Sequence, residues 1–216
     1  MKLRANLDHR MTKIEHRLIK MTSLVEESIA RSMKSLIDND DQMALSVVED
    51  DRVVDQLELS IEKNCINVIS LQQPIATDLR EVTAVLKIIT DLERIGDYAV
   101  NIAKIQISFA RPMDEEGRFL ESMGDTVRVM LQKALSSFID KDPELAREAA
   151  LMDQLVDDSY EEFYKHQLDL LKKDDSSTED LVPLLFIGRY LERVGDHIVN
   201  MCERIIYMVE GIYEYY

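Results

Sequence analysis

Two stretches of this chain carry the same row of carboxylates. Asp91 to Asn101 reads Asp-Leu-Glu-Arg-Ile-Gly-Asp-Tyr-Ala-Val-Asn, and Tyr190 to Asn200 reads Tyr-Leu-Glu-Arg-Val-Gly-Asp-His-Ile-Val-Asn. They are identical at seven of eleven positions and lie 99 residues apart. Each contains Glu-x-x-x-Asp: Glu93 with Asp97, and Glu192 with Asp196. On a helix that spacing puts both acids on one face, one turn apart. Apolar residues flank them: Leu86 and Val100 around Glu93, Leu185 and Val199 around Glu192. The acids therefore belong to the edge of a buried stripe. Like charges at this spacing repel, and partial burial costs more. A positive group must compensate, either an arginine, a proton or a metal ion. Arg94 and Arg193 are the local candidates, and Arg94, Asp91, Lys87 and Tyr98 are expected on the opposite, polar side.

A second set of acids stands one helix earlier in each half. Asp51, Asp55, Glu58 and Glu62 fall within an arc of about 60° at 100° per residue. At an offset of 102, Asp153 and Asp157 match Asp51 and Asp55. The elements that carry these rows are legible from periodicity. Leu7, Met11, Ile14, Leu18, Met21, Val25, Ile29, Met33 and Leu36 mark one amphipathic helix over about residues 3–38. Asp40 is a plausible N-cap for a second helix running to about Leu71, with Val47, Val54, Leu57, Ile61, Cys65 and Val68 as its stripe. Gln72-Gln73-Pro74 marks a turn, and a third helix from near Ile75 to about Phe109 carries the first motif. Arg111 to Gly117 is the best internal boundary, after which the pattern restarts. Asp142-Pro143 opens the fifth helix, Lys172 to Thr178 is a link, and the last helix runs from about Glu179 toward Gly211. The expected fold is all-α, a tandem repeat of two three-helix bundles, residues 1–110 and 111–216. Antiparallel second and third helices bring their acid pairs face to face. Gly96 and Gly195 are expected close-packing points, because glycine costs about 1 kcal/mol in a helix interior.

Composition agrees with long helices: 6 Gly, 4 Pro, no Trp and 11 Met in 216 residues, with 46% hydrophobic and 31% charged. The net charge of −16 argues against nucleic-acid binding. The first twenty residues run the other way, with six basic groups and two acids. That is a solvated helix back or a docking face for an acidic partner. Cys65 and Cys202 fall in apolar patterns and read as reduced core residues. There is no signal-like segment and no apolar run long enough to span a bilayer, so a cytoplasmic location with only indirect membrane contact is expected. Phosphate loops, His-Glu-x-x-His and Cys-x-x-Cys are absent. Converging carboxylates suit hard or borderline cations. His197 is expected to project to the polar side, and His9, His16 and His166 to the surface.

The repeated Leu-Glu-Arg-Ile/Val-Gly-Asp, the Asp51/Asp55 pair with its counterpart Asp153/Asp157, and Gln73-Pro74 before the third helix resemble the PhoU family over about residues 5–210. The resemblance implies a cytoplasmic, non-enzymatic negative regulator of phosphate uptake and of phosphate-responsive two-component signalling. Implied partners are the ATPase subunit of a phosphate ABC transporter, a phosphate-sensing histidine kinase and a second copy in a homodimer. Metal ions, Fe, Mn, Zn or Mg, are implied at Asp51, Asp55, Glu93, Asp97, Asp153, Asp157, Glu192 and Asp196. Glu58 joins them as the next acid of the same row. The competing readings are a metal-dependent helical-bundle enzyme, oxidase or phosphohydrolase, on the same patches, and a helical scaffold whose arginines close the charge. The two patches are unequal on paper. Where the first continues with Glu58 and Glu62, the second has Tyr160 and Tyr164, so the first is expected to bind cations more tightly.

Overall fold

The computed structural model describes residues 2–108, 113, 115–172 and 178–216. Among them are seven helical segments and no strand. The first, α1 (Lys2–Asp38), contains neither glycine nor proline and buries its expected stripe from Leu7 to Leu36, with Met11 only partly covered. Asn39 then turns into the left-handed region at φ 54°. Asp40 caps the next helix, its side chain accepting from the Met43 N–H at 2.9 Å. That helix, α2 (Asp41–Gln72), closes with Gln73 at φ 48°, whose N–H donates to the Ile69 carbonyl. The first motif lies on α3 (Ala76–Ser108).

The second half repeats these devices. After α4 (Glu115–Asp140), Lys141 sits at φ 53°, the position equivalent to Asn39. Asp142 accepts from the N–H groups of Glu144 and Leu145, and Pro143 occupies the first turn of α5 (Pro143–Leu151). The fifth helix is not continuous as expected. It tightens at Met152, whose N–H reaches Ala149 and whose carbonyl accepts from Leu155 at 2.9 Å, before α6 (Asp153–Lys172) begins. The last helix, α7 (Thr178–Glu210), carries the second motif. Residues 111, 112 and 114 of the boundary at 111–117 and residues 173–177 of the link at 172–178 lie outside the described residues.

The architecture is two three-helix bundles in tandem, α1–α3 and α4 to α7 with α5 and α6 as one interrupted element. They meet along α3 and α7 and along α1 and α4. One hydrophobic core runs through both bundles, from Leu18 and Ile89 to Phe163 and Ile205. Cys65 and Cys202 are free and buried in it, and burial pushes both thiols up to about 12. Among the described residues no helix is long and apolar enough to cross a membrane.

Candidate metal-binding patches

The antiparallel packing of α2 on α3 brings Asp51, Asp55 and Glu58 together with Glu93 and Asp97. Burial lifts the Asp51 carboxyl from 3.8 to about 6, helped by Asp55 and Asp97 and opposed by Lys104. Glu58 is raised by burial, then by Glu62 and Asp55. Glu93 is raised by burial and by Asp97, with Arg94 opposing. Asp51 packs over Gly96, where a Cβ would stand 3.4 Å from its Oδ1, an ordinary contact. The carboxylate of the facing helix and the side chains of Val54 and Val25 meet at this position.

The second patch repeats the plan between α6 and α7. Burial, then Asp157, Asp196 and Glu192, lift Asp153 to about 7. Asp157 is raised by burial and then by Asp196, with Arg189 opposing; burial also raises Glu192. Here the glycine is tighter. A Cβ on Gly195 would collide with Asp153 Oδ1, and that oxygen is buried with no hydrogen-bond partner. Tyr160 lies beside Glu192, whose charge adds to burial in raising the phenol.

Arginines hold part of each patch. Arg94 reaches Glu93 at 3.3 Å and Asp97 at 3.1 Å, and Arg193 reaches Asp196 at 2.9 Å. Arg189 pairs with Glu192 and was not anticipated, although its spacing three residues before that glutamate was visible. Among the described residues, no three His, Cys, Asp or Glu side chains stand in an arrangement that could hold one ion. The donor set is all oxygen and carries excess negative charge, which suits a hard cation. The buried Asp153 Oδ1 has no hydrogen-bond partner among the described residues. Exposed arginine–carboxylate pairs are worth about 0–1 kcal/mol, so releasing them for an ion costs little. The residues therefore fit a cation by chemistry, with side-chain rotation required to close on it.

The polar back expected for the motif helices is instead an interface. Tyr98 packs against Tyr190 and His197, with ring centroids 5.6 and 5.8 Å apart. His197 Nδ1 lies 2.9 Å from Asp91 Oδ1. His197 is half-buried because α3 and α7 pack on each other, and Tyr98 occupies the position equivalent to it. A cavity of about 510 Å3 opens there, lined by Tyr98, Asp153, Arg193, Asp196, His197, Val199, Asn200, Glu203 and Tyr216. Glu203 and Tyr216 were not foreseen as part of the site. His9 and His16 are exposed as expected, while His166 packs beside Phe119 at 5.6 Å.

Fold and site together define an all-α tandem-repeat protein with one acidic patch per repeat. Residues 18–106 and 120–205 each match the PhoU domain, and the chain belongs to the PhoU family. A phosphate-specific transport system accessory protein PhoU homolog from Clostridium acetobutylicum is 34% identical over 203 residues, covering 93% of each chain. The crystal structure of PhoU from Pseudomonas aeruginosa superposes with a TM-score of 0.91 at 30% identity, covering 95% of this chain and 99% of that one. The phosphate transport system regulatory protein PhoU from Streptococcus pneumoniae gives a TM-score of 0.89 at 28% identity, over 96% and 99% of the two chains.

Proposed function

We propose that this protein is an accessory regulator of a phosphate-specific transport system that restrains phosphate uptake and phosphate-responsive signalling. The observation that carries the reading is the match of both repeats to the family, with relatives named as accessory proteins of the phosphate-specific transport system aligned over nearly the whole chain. In this reading it acts by docking on the transporter's ATPase subunit and on a phosphate-sensing histidine kinase, as a homodimer, and performs no catalysis. Deleting the gene should raise phosphate import and phosphate-response gene expression when phosphate is plentiful. Unchanged uptake and expression, in a strain without a second homologue, would refute it.

Metal ions bound at the carboxylate patches belong to the same proposal. What supports them is the unpartnered Asp153 oxygen and the proton affinities of Asp51 and Asp153, which mark uncompensated negative charge. An ion bound there would supply that charge. Asp51, Asp55, Glu58, Glu93 and Asp97 would hold it in the first repeat, and Asp153, Asp157, Glu192 and Asp196 in the second. An ion that binds only the folded chain stabilises it by about 2.7 kcal/mol at a hundredfold excess over its dissociation constant. Melting should rise with Mn, Fe, Zn or Mg and fall with chelator; identical melting curves would count against the metal.

A further inference from the structure

The first turns of α1 carry a basic face that the carboxylate patches do not use. At 100° per residue, His9, Arg10, Lys13, His16, Arg17 and Lys20 share an arc of about 120°, and Asp8 and Glu15 fall outside it. From His9 to Lys20 the row is about 17 Å long at 1.5 Å per residue. Acids outnumber lysines and arginines 42 to 26 in this chain, yet among the described residues none of Arg10, Lys13, Arg17 and Lys20 has an ion pair. Arg17 donates to Ser60 Oγ at 3.1 Å, and the Nε of Arg10 is buried without a partner. Asn6, His9, Arg10, Lys13 and Asn64 line a hollow of about 180 Å3 between α1 and α2, and no carboxylate is part of its lining.

The same end of the bundle exposes aliphatic side chains. The Arg17–Ser60 bond sets the antiparallel register of α1 and α2, and that register puts Leu71 level with Asn6. Leu71 is 62% exposed, and Ile75, in the turn to α3, is 76% exposed. Leu79 adds a third exposed aliphatic one turn into α3. Gln73 and Ala76 flank Pro74 and Ile75 and both take positive φ, 48° and 47°, a strained conformation for alanine. The fold does not require these features, because the second half lacks them. At the offset of 102, Lys13, Arg17 and Lys20 correspond to Glu115, Phe119 and Ser122. The link corresponding to the apolar turn reads Lys172-Lys-Asp-Asp-Ser-Ser-Thr178. Cations beside exposed aliphatic residues are the composition of an interfacial membrane contact. A nucleic-acid backbone has no use for the aliphatic residues. A lipid layer receives them without a matching pocket, and its phosphates take the cations. Screening over about 10 Å lets this local charge act despite the net −16 of the chain.

We infer that this end of the first bundle docks directly on an anionic bilayer surface, with Leu71 and Ile75 entering the acyl boundary and Arg10, Lys13, Arg17 and Lys20 lying on lipid phosphates. Contact is then direct, where the sequence suggested only an indirect one, and it needs no protein partner. The test is sedimentation of the full chain with protein-free vesicles of phosphatidylcholine, with and without phosphatidylglycerol. The chain should bind only the vesicles that contain phosphatidylglycerol and should come off as salt rises. Arg10→Gln, Lys13→Gln and Arg17→Gln together should weaken binding by about a hundredfold, at about fivefold per cation. Ile75→Ser, a change at an exposed residue, should weaken it by about tenfold with the helical signal in circular dichroism unchanged. Lys133→Gln with Lys165→Gln, away from this end, should bind as the parent does; equal loss there would reduce the effect to overall charge and overturn the inference. No binding by the parent, or undiminished binding by the triple variant or by Ile75→Ser, would overturn it as well. Binding to native membranes but not to protein-free vesicles would assign the basic face to an acidic protein instead. Inorganic phosphate should release the chain no better than chloride at equal ionic strength; specific release would assign the face to a free anion and overturn the bilayer. The regulator reading stands or falls separately, on the deletion phenotype.

Discussion

Asp51 and Asp153 are held with their protons to about pH 6 and 7, where an unfolded chain would release them near 3.8. Between those limits the folded state binds more protons than the unfolded one, so stability falls as pH rises. Metal-free protein should therefore show a urea midpoint that drops from pH 5 to pH 8. Asp153→Asn, which keeps the shape without the charge, should flatten that decline and be the more stable protein at pH 8. A wild-type midpoint that climbs over this range would refute the assignment. The glycines give a second prediction. Gly96→Ala meets Asp51 at an ordinary contact distance, whereas Gly195→Ala forces the Asp153 carboxylate to turn away. Both gain about 1 kcal/mol of helix propensity. Gly96→Ala should keep Mn2+ binding, and Gly195→Ala should lose the ion of the second patch without losing stability, as read by titration and melting on the same samples.

The helix starts are built twice from the same chemistry. Asp40 and Asp142 each accept backbone N–H bonds at the head of a helix, and Asn39 and Lys141 before them share the left-handed turn. Asp40→Ala and Asp142→Ala should each cost about 1 kcal/mol by chemical denaturation. The repeat departs from itself at Met152. In α2 the equivalent stretch runs straight through, but the chain between Ala149 and Leu155 tightens to bonds three residues apart. That break leaves Asp153 in the first turn of α6, against Gly195. No glycine or proline marks it, which is why periodicity predicted one helix.

The two repeats share one hydrophobic core. Their shared core and the α3–α7 contact mean that either half alone would expose a helix face built for burial. Denaturation followed by circular dichroism and by tyrosine fluorescence should give coincident single transitions. Tyr98 is the test residue, since it packs on Tyr190 and His197 from the other repeat. Tyr98→Ala should cost about 2 kcal/mol, below a fully buried aromatic because Tyr98 is only partly buried. Two separated transitions in the parent chain would show that the bundles fold independently.

Local sequence determined the helices, their caps and the doubled carboxylate rows, because hydrophobic period, capping side chains and turn residues act within a few positions of each other. It also showed that Glu93, Asp97, Glu192 and Asp196 sit at the edge of a buried face, and that Arg94 and Arg193 stand ready to neutralise them. Tertiary structure decided what lies across from those rows. The packing of α3 on α7 turned the expected polar back into an interface with His197 inside it. The return of the chain after Gly211 brought the Tyr216 N–H to Glu203, which is buried while its counterpart Lys104 remains exposed. Charge compensation depends on distance through space and on burial, and both are set only once helices far apart in sequence have packed.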